Sequence, residues 1–408
     1  MKLEVGKINT IRVEMFPAKN GDSFLISCLS DINKNILVDL AYPHTYRNHL
    51  KPKFLDLNGK GESLDLVVFT HVDQDHIYGG ITFFKENGDS NSPKVINVKE
   101  VWHNSYRHLN IGKENETLDQ KQFEKIREQS AYVEPEDGNG SNKVSGQQGT
   151  RLAALLYKNK YHWNTLFDGK AVSFSPVSKI VGDKIKITVL SPTSQELDAL
   201  KTKWYKELKR MFPTIPLTND AIFDDAIEYL AEYMEPKGIA NKSEKTSNST
   251  NLVKLAQSLF EEDPDEINAS SITFILEYGS KKLLFLGDAP PTLIEKQLKQ
   301  IYREEQFPLY FDLIKISHHG SENNTNESLL NIIDSPKYLI STNGSGHGHP
   351  DEATIARIVV RESRQFKREL FMSHATTTSD FFNRAQWKEQ YNFEMYVPEK
   401  NQSTLIEL

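Results

Sequence analysis

This chain is most constrained by an apolar run, LDLVVFT (64–70), that stops on the polar string HVDQDH (71–76). A short run rich in apolar and β-branched side chains reads as a strand covered on both faces. Two histidines and two aspartates then fall within six residues of its end. Imidazole nitrogen and carboxylate oxygen are the donors that hard and borderline divalent cations accept. Gathered at a strand end without a cation, the carboxylates would face one another, and neither their repulsion nor their lost hydration would be offset. The alternative for such a string is a solvated Asp/His turn.

The rest of the chain alternates strand-like and helix-like segments, which predicts an α/β layered fold. IRVEMF (11–16), SFLISCL (23–29) and NILVDL (35–40) have strand composition and are separated by turn residues at Gly21-Asp22 and at 31–33. Further strands are expected at 95–102, 184–190, 271–278, 282–288, 310–316 and 338–341, with a hairpin at Gly279-Ser280. Helices are expected at 148–163, 194–211, 221–234, 291–304, 325–334, 351–363 and 381–391. The polar stretch 104–147 and the weakly patterned stretch 193–266 read as insertions in a single domain spanning 1–408. Within the second, 235–251 has no apolar period and is expected to stay irregular, because it cannot bury enough surface to offset its ordering entropy.

Composition narrows the class. The 408 residues suffice for a large core, and 38% hydrophobic with 26% charged residues argues against wholesale disorder. A net charge of −7 argues against a passive nucleic-acid coat, which carries a basic surface. It leaves room for a nuclease whose bound metal ions supply local positive charge. With Cys28 as the single cysteine, no intramolecular disulfide can form. There is no apolar signal region at the N-terminus and no apolar stretch of membrane-spanning length, so a cytoplasmic protein with no membrane partner is expected.

The string THVDQDHIYGG (70–80), following its hydrophobic strand, resembles the signature of the metallo-β-lactamase superfamily, with Asp73 where the commoner form has histidine. The Asp form is similar to the soluble hydrolase domain of ComEC-type competence proteins for DNA uptake. Four more segments resemble that subgroup in order. They are FPAKNGDSFLIS with NILVDLAY, then Asn268-Ala269-Ser270-Ser271 leading into LLFLGDAP, then LIKISHHGS, and last STNGSGHGHPDEATIARI. Together the matches run from residue 16 to residue 358.

The resemblance implies an αββα sandwich, two mixed sheets face to face with helices outside, whose motifs meet at one edge. It also implies two divalent metal ions, Zn or Mn. His71 and Asp73 would hold one ion, Asp75 and His76 the other, Asp288 would bridge them and His349 would complete the second site. For the last ligand of the first site the resemblance points to His318, with His319 as a supporting or substrate-contacting group. His103, His108 and His162 lie in the interval where other members supply a histidine, and His103 is the one kept as a lesser candidate. Asp75, Asp288, Lys315 and His319 are the catalytic candidates; Lys315 would either stabilise charge or merely flank a strand. Asp39 and Thr70 would support the metal loops without binding metal. His347 would meet substrate or solvent, Cys28 would be inert, and His44, His49 and His374 would be surface or structural residues.

Two such ions sharing a water lower its pKa toward neutrality and stabilise charge on the departing oxygen. With oxygen from Asp73 in place of nitrogen, the site should accept Mn²⁺ better than an all-histidine set, while still taking Zn²⁺. The subgroup implies phosphodiester hydrolysis, with DNA or RNA as first substrate and a cyclic nucleotide or other small phosphodiester as second. A metal-binding sensor working through a protein partner on the insertions is the reading from a different class. The soluble relatives resemble components of bacterial defence or mobile-element clusters.

Overall fold

A computed structural model describes residues 10–109, 142–182, 184–211, 251–362 and 365–408. The expected helix at 221–234, the polar span 235–250 and residues 110–141 of the first insertion lie outside the described residues.

The first part of the chain supplies β1 (Thr10–Met15), β2 (Phe24–Leu29), β3 (Lys34–Val38), β4 (Leu64–Val68) and β5 (Val101–Trp102). β6 (Lys179–Val181), β7 (Ile185–Ser191), β8 (Thr273–Tyr278) and β9 (Lys281–Phe285) follow. Then come β10 (Leu309–Tyr310), β11 (Leu313–Lys315), β12 (Ile333–Asp334), β13 (Lys337–Ile340), β14 (Arg368–Met372), β15 (Phe393–Tyr396) and β16 (Thr404–Glu407). One sheet has the order β16-β1-β2-β3-β4-β5 and the other β15-β14-β13-β11-β9-β8-β7-β6, with β10 and β12 as a separate pair. Each large sheet begins with antiparallel hairpin strands and continues into parallel ones: β3, β4 and β5 in the first, β9, β11, β13, β14 and β15 in the second.

The period of two along a strand produces the layers. Val13, Met15, Phe24 and Ile26 of the first sheet share one core with Ile187, Val189, Phe274 and Phe285 of the second. Leu25, Leu37 and Val67 point the other way, against Phe54, Ile77, Phe83 and Leu152 of helices Lys51–Gly59, Gln74–Asn87 and Asn142–Lys158. On the far side, Ile275, Leu284, Ile314 and Ile340 pack under Ile294, Leu298, Leu330 and Ile355 of helices Pro291–Ile301, Glu327–Ile332 and Glu352–Val359. The chain is mixed α/β, in four layers of helix, sheet, sheet and helix. β4 is buried along its whole length, as its composition predicts. No helix among the described residues is long and apolar enough to cross a membrane.

Three expected elements differ. Of 95–102, only Val101–Trp102 is strand, because the Asn87 side chain binds the backbone N–H groups of Val95 and Ile96 and the carbonyl of Ile96. The run 310–316 breaks at Asp312, whose carboxylate accepts from the Lys282 backbone and from Lys281, so its two halves join different sheets. The helix expected at 381–391 is two, Thr377–Phe382 and Ala385–Tyr391.

Candidate metal centre

The chemistry-bearing residues sit just past the carboxyl ends of neighbouring strands, where a layered α/β sheet opens into a crevice. β3 leads to Asp39, β4 to His71, β9 to Asp288, and β11 to His318 and His319. Gly79 and Gly80 let the helix Gln74–Asn87 press onto that edge. A Cβ at Gly79 would meet the Leu40 carbonyl at 2.1 Å, and one at Gly80 the Phe69 ring at 2.4 Å. This close approach seats His76 against Asp39.

Four imidazoles converge on one carboxylate oxygen. The Nε2 atoms of His76, His319, His71 and His318 lie 3.3, 3.4, 3.8 and 3.9 Å from Asp288 Oδ2. Their other ring nitrogens are already engaged. His76 Nδ1 is 2.8 Å from Asp39 Oδ2, and His319 Nδ1 is 2.9 Å from the Ser341 carbonyl with Asp22 Oδ1 alongside at 3.2 Å. His318 Nδ1 meets Asn324 Oδ1 at 2.9 Å and Asp263 Oδ2 at 3.2 Å. The Thr70 hydroxyl donates to Asp39 Oδ2 at 2.7 Å, so its oxygen is left to accept from His71 Nδ1 at 3.1 Å. Carboxylate and carbonyl oxygens only accept, so the proton of each neutral ring belongs on Nδ1 and a lone pair on Nε2.

That arrangement leaves acceptors facing acceptors. His71 Nε2, His76 Nε2, His319 Nε2 and Asp288 Oδ1 are buried with no hydrogen-bond partner. Orphaned buried acceptors of this kind are costly, and a cation among them removes the cost. Two overlapping trios, His71–His76–Asp288 and Asp22–His76–His319, each have their ligand atoms within 4.8 Å of one another. The donor set, nitrogen and carboxylate oxygen, suits a divalent ion.

Without a cation, protons take its place. Burial alone would push His76, His318 and His319 toward neutrality, but the Asp288 carboxylate and each ring's own acidic partner outweigh it. His319 is raised to about 10, and His76 well above the ordinary histidine value. Burial would likewise raise Asp22, Asp75 and Asp288, yet Lys315 for Asp22, His319 for Asp75 and His76 for Asp288 lead the opposing influences and hold all three below the usual carboxylate range.

The His-His-Gly turn is held in an uncommon backbone conformation. His318 and His319 have φ of 45° and 55°, and Gly320 follows at 90°. Consecutive left-handed residues with side chains cost about 1–3 kcal/mol each and persist only when their surroundings hold them. Here the His318 N–H donates to the Gly287 carbonyl at 3.0 Å and the Ser321 N–H closes back on the His318 carbonyl at 2.8 Å. The conformation turns two successive rings onto the same carboxylate.

Most of the expected residues meet, but in a changed partnership. Asp73 Oδ2 lies 3.5 Å from His71 Nε2. Asp75 Oδ2 lies 3.5 Å from His319 Nε2, and its Oδ1 3.9 Å from His76 Nε2. His319, expected to support, thus stands with Asp75 and His76. His349, expected there, stands beside His318 with ring centroids 5.2 Å apart and its Nδ1 on Asp351 at 3.0 Å. Lys315 is buried at the site: it pairs with Asp22, donates to the Gly287 carbonyl at 2.9 Å and lies 3.6 Å from Asp288 Oδ1. His103 is elsewhere, its Nε2 3.3 Å from the Gly149 carbonyl and its ring parallel to Trp163. His108 meets Trp163 edge-on, and His162 is exposed. His347 is exposed and stacks on His349. His44 and His49 face each other, and His374 bonds Ser373. Burial among apolar strands pushes the Cys28 thiol up to about 12, consistent with an inert residue.

The sequence reading missed Asp22, Asp263, Asn324 and Asp351, the partners that orient His319, His318 and His349. Asp22 carries one signal, an acidic residue just before an apolar strand at NGDSFLIS. Asp263 carries none, because it lies in the weakly patterned stretch 193–266.

No protein-family model matches the chain, and no curated protein matches it in sequence. Among solved structures 36 chains match. One is a mutant of CmlA beta-hydroxylase, at 9% identity and a TM-score of 0.38, covering 99% of this chain and 55% of that one. The chain therefore spans about half the length of that relative.

Proposed function

We propose that this chain is a metal-dependent hydrolase of the metallo-β-lactamase fold that cleaves phosphodiesters, with DNA or RNA as the first substrate class. The observation that carries the reading is the meeting of four Nε2 lone pairs on the buried Asp288 carboxylate, with three of those nitrogens lacking any hydrogen-bond partner. On these contacts His71 and Asp73 would hold one divalent ion and Asp75, His76 and His319 a second, with Asp288 within reach of the histidines of both groups. His318 faces the same carboxylate and serves the first group. His349 is left as a neighbour of His318 outside both groups.

A divalent pair bound there supplies Lewis acidity toward a phosphoryl oxygen and an ionised water as nucleophile. The protein's part is orientation. Asp39 fixes His76 and, through Thr70, His71, so that both present Nε2 inward. Asp22, Ser341, Asn324 and Asp263 do the same for His319 and His318. Lys315 balances Asp22 and Asp288, so the carboxylates stay ionised in a buried setting.

The test is hydrolysis of linear DNA, RNA and cyclic dinucleotides side by side, with metal content measured in each preparation. Cleavage dependent on added metal is expected, Mn²⁺ supporting at least as much activity as Zn²⁺. DNA binding should be weak without metal and should fall steeply with salt. Protein verified to hold both ions yet inert on every phosphodiester would refute the proposal.

A further inference from the structure

The loop 18–22 closes over Asp75 more tightly than a turn between two strands requires. A Cβ on Gly21 would sit 2.0 Å from the Asp75 carbonyl oxygen and 2.9 Å from its carbonyl carbon, so only glycine permits the approach. The Asp22 N–H donates to the Asp75 carbonyl at 3.2 Å, and the Ser341 hydroxyl donates to the Gly21 carbonyl at 2.6 Å. Pinned in this way, the loop delivers the Asn20 side-chain amide to Asp75, Nδ2 to Oδ2 at 3.2 Å. That carboxylate oxygen is the one 3.5 Å from His319 Nε2.

An amide can present either end. Here the Asp75 carboxylate decides, because it can only accept and so takes Nδ2, and the Tyr42 hydroxyl donates to the Asn20 Oδ1 left on the other side at 3.1 Å. With the amide reversed, two acceptors would meet at Asp75, while the Tyr42 hydroxyl would have to accept from Nδ2 instead of donating. Burial and the Asp75 charge both raise the Tyr42 phenol, which keeps its proton on the oxygen that must donate. The glycine-containing loop 344–348 runs past the same amide, since a Cβ on Gly346 would lie 3.8 Å from Asn20 Nδ2.

We propose that Asn20 is a positioning residue for Asp75, with the Tyr42 hydroxyl anchoring its amide through Oδ1, and that the pair selects the Asp75 rotamer that faces the second metal group. The inference rests on the functional reading above. Two side chains outside the metal set thereby govern occupancy of one half of the site. A carboxylate free to rotate must be ordered by the incoming ion, whereas one held by an amide is ordered beforehand.

The experiment is a calorimetric Mn²⁺ titration of the full chain, chelated and then dialysed, with the unfolding temperature of the chelated protein measured in parallel. Asn20→Ala should weaken one of the two binding steps about 10- to 100-fold, the range typical for loss of a group orienting a ligand, and leave the other within about threefold. Tyr42→Phe should weaken the same step about 3- to 10-fold, as expected for one lost neutral hydrogen bond. Tyr42→Phe also serves as the independent variant should Asn20→Ala not fold. Unchanged affinities with a lowered unfolding temperature would make Asn20 a purely structural residue and overturn the inference. Equal weakening of both steps would overturn it too, because nothing would then be specific to Asp75. Wild-type protein that binds no divalent ion would overturn the functional reading and this inference together, so the two failures are distinguishable.

Discussion

Lys315→Met tests whether the buried lysine belongs to the chemistry or to the framework. Its ammonium lies in a protein interior, 1% exposed, between the Asp22 carboxylate, the Gly287 carbonyl at 2.9 Å and Asp288 Oδ1 at 3.6 Å. Methionine keeps the length and removes the charge, leaving Asp22 ionised and buried with the His319 ring at 3.2 Å as its nearest remaining partner. Breaking one side of a buried pair costs about 3–5 kcal/mol. That is a large share of the 5–15 kcal/mol that typically separates a folded domain from its unfolded chain. Asp22→Asn together with Lys315→Met removes both charges and should cost only about 1–3 kcal/mol, the penalty of an imperfectly bonded polar group. The assay is urea unfolding of the chelated protein at pH 6, for wild type, both single variants and the double variant. A coupling of at least about 2 kcal/mol between the positions is expected, beyond the level at which independent sites simply add. A Lys315→Met cost below about 1 kcal/mol, or a double variant whose loss equals the sum of the singles, would refute the framework role.

Other outcomes follow from the same geometry. His76 is raised well above 6.5 and His319 to about 10, so in chelated protein these two rings hold protons at neutral pH that an ion must displace. Metal uptake in weak buffer should therefore release protons to an indicator dye, and affinity should rise with pH; uptake without release would contradict this. The raised histidines contribute stability that is complete below pH 6.5 and is lost as pH rises through their folded values, about 10 for His319. The depressed carboxylates Asp22, Asp75, Asp263 and Asp288 contribute stability present above 3.8 and lost as pH falls. His49, His103, His108, His349 and His374 are held below 6.5 by burial and lose stability as the pH falls beneath it, so the unfolding temperature of chelated protein should peak near about pH 6.5, and a peak above pH 8 would count against the assigned charges. Asp75→Ala and Asp288→Ala should each abolish phosphodiester cleavage with soluble, folded protein retained, checked by circular dichroism and metal content. Loss of soluble expression with metal binding intact would assign them a structural role. Asp73→His should shift preference from Mn²⁺ toward Zn²⁺ in competitive metal titration, and an unchanged ratio would remove Asp73 from the metal set.

Much of the architecture was legible because it follows from local periodicity. The run at 64–68, apolar but for Asp65, gives a strand buried on both faces, and alternation in β1 and β2 separates a shared core from a helix-covered face. Expectations failed where side chains took over backbone hydrogen bonds. Asn87 satisfies the groups that would have extended β5, and Asp312 divides a run that reads as one strand. In both places a polar residue competes for the partners a sheet would use, and that competition is invisible to hydrophobic pattern.

The sequence by itself determined which residue types stand at the strand ends, because a histidine or aspartate next to a buried run is a local fact. His71, Asp73, Asp75 and His76 are singled out in that way, whereas Asp288 and the two histidines of the His-His-Gly turn are singled out by the family resemblance. Only the tertiary structure decided their partnership. His319 stands with Asp75 and His76, and His349 beside His318, since successive left-handed residues swing both rings of the turn toward Asp288. It alone supplied Asp22, Asp263, Asn20 and Tyr42, which act through contacts far apart in the chain. A ligand is recognised by its own chemistry, whereas a residue that orients it has only its position, and position is a property of the folded chain.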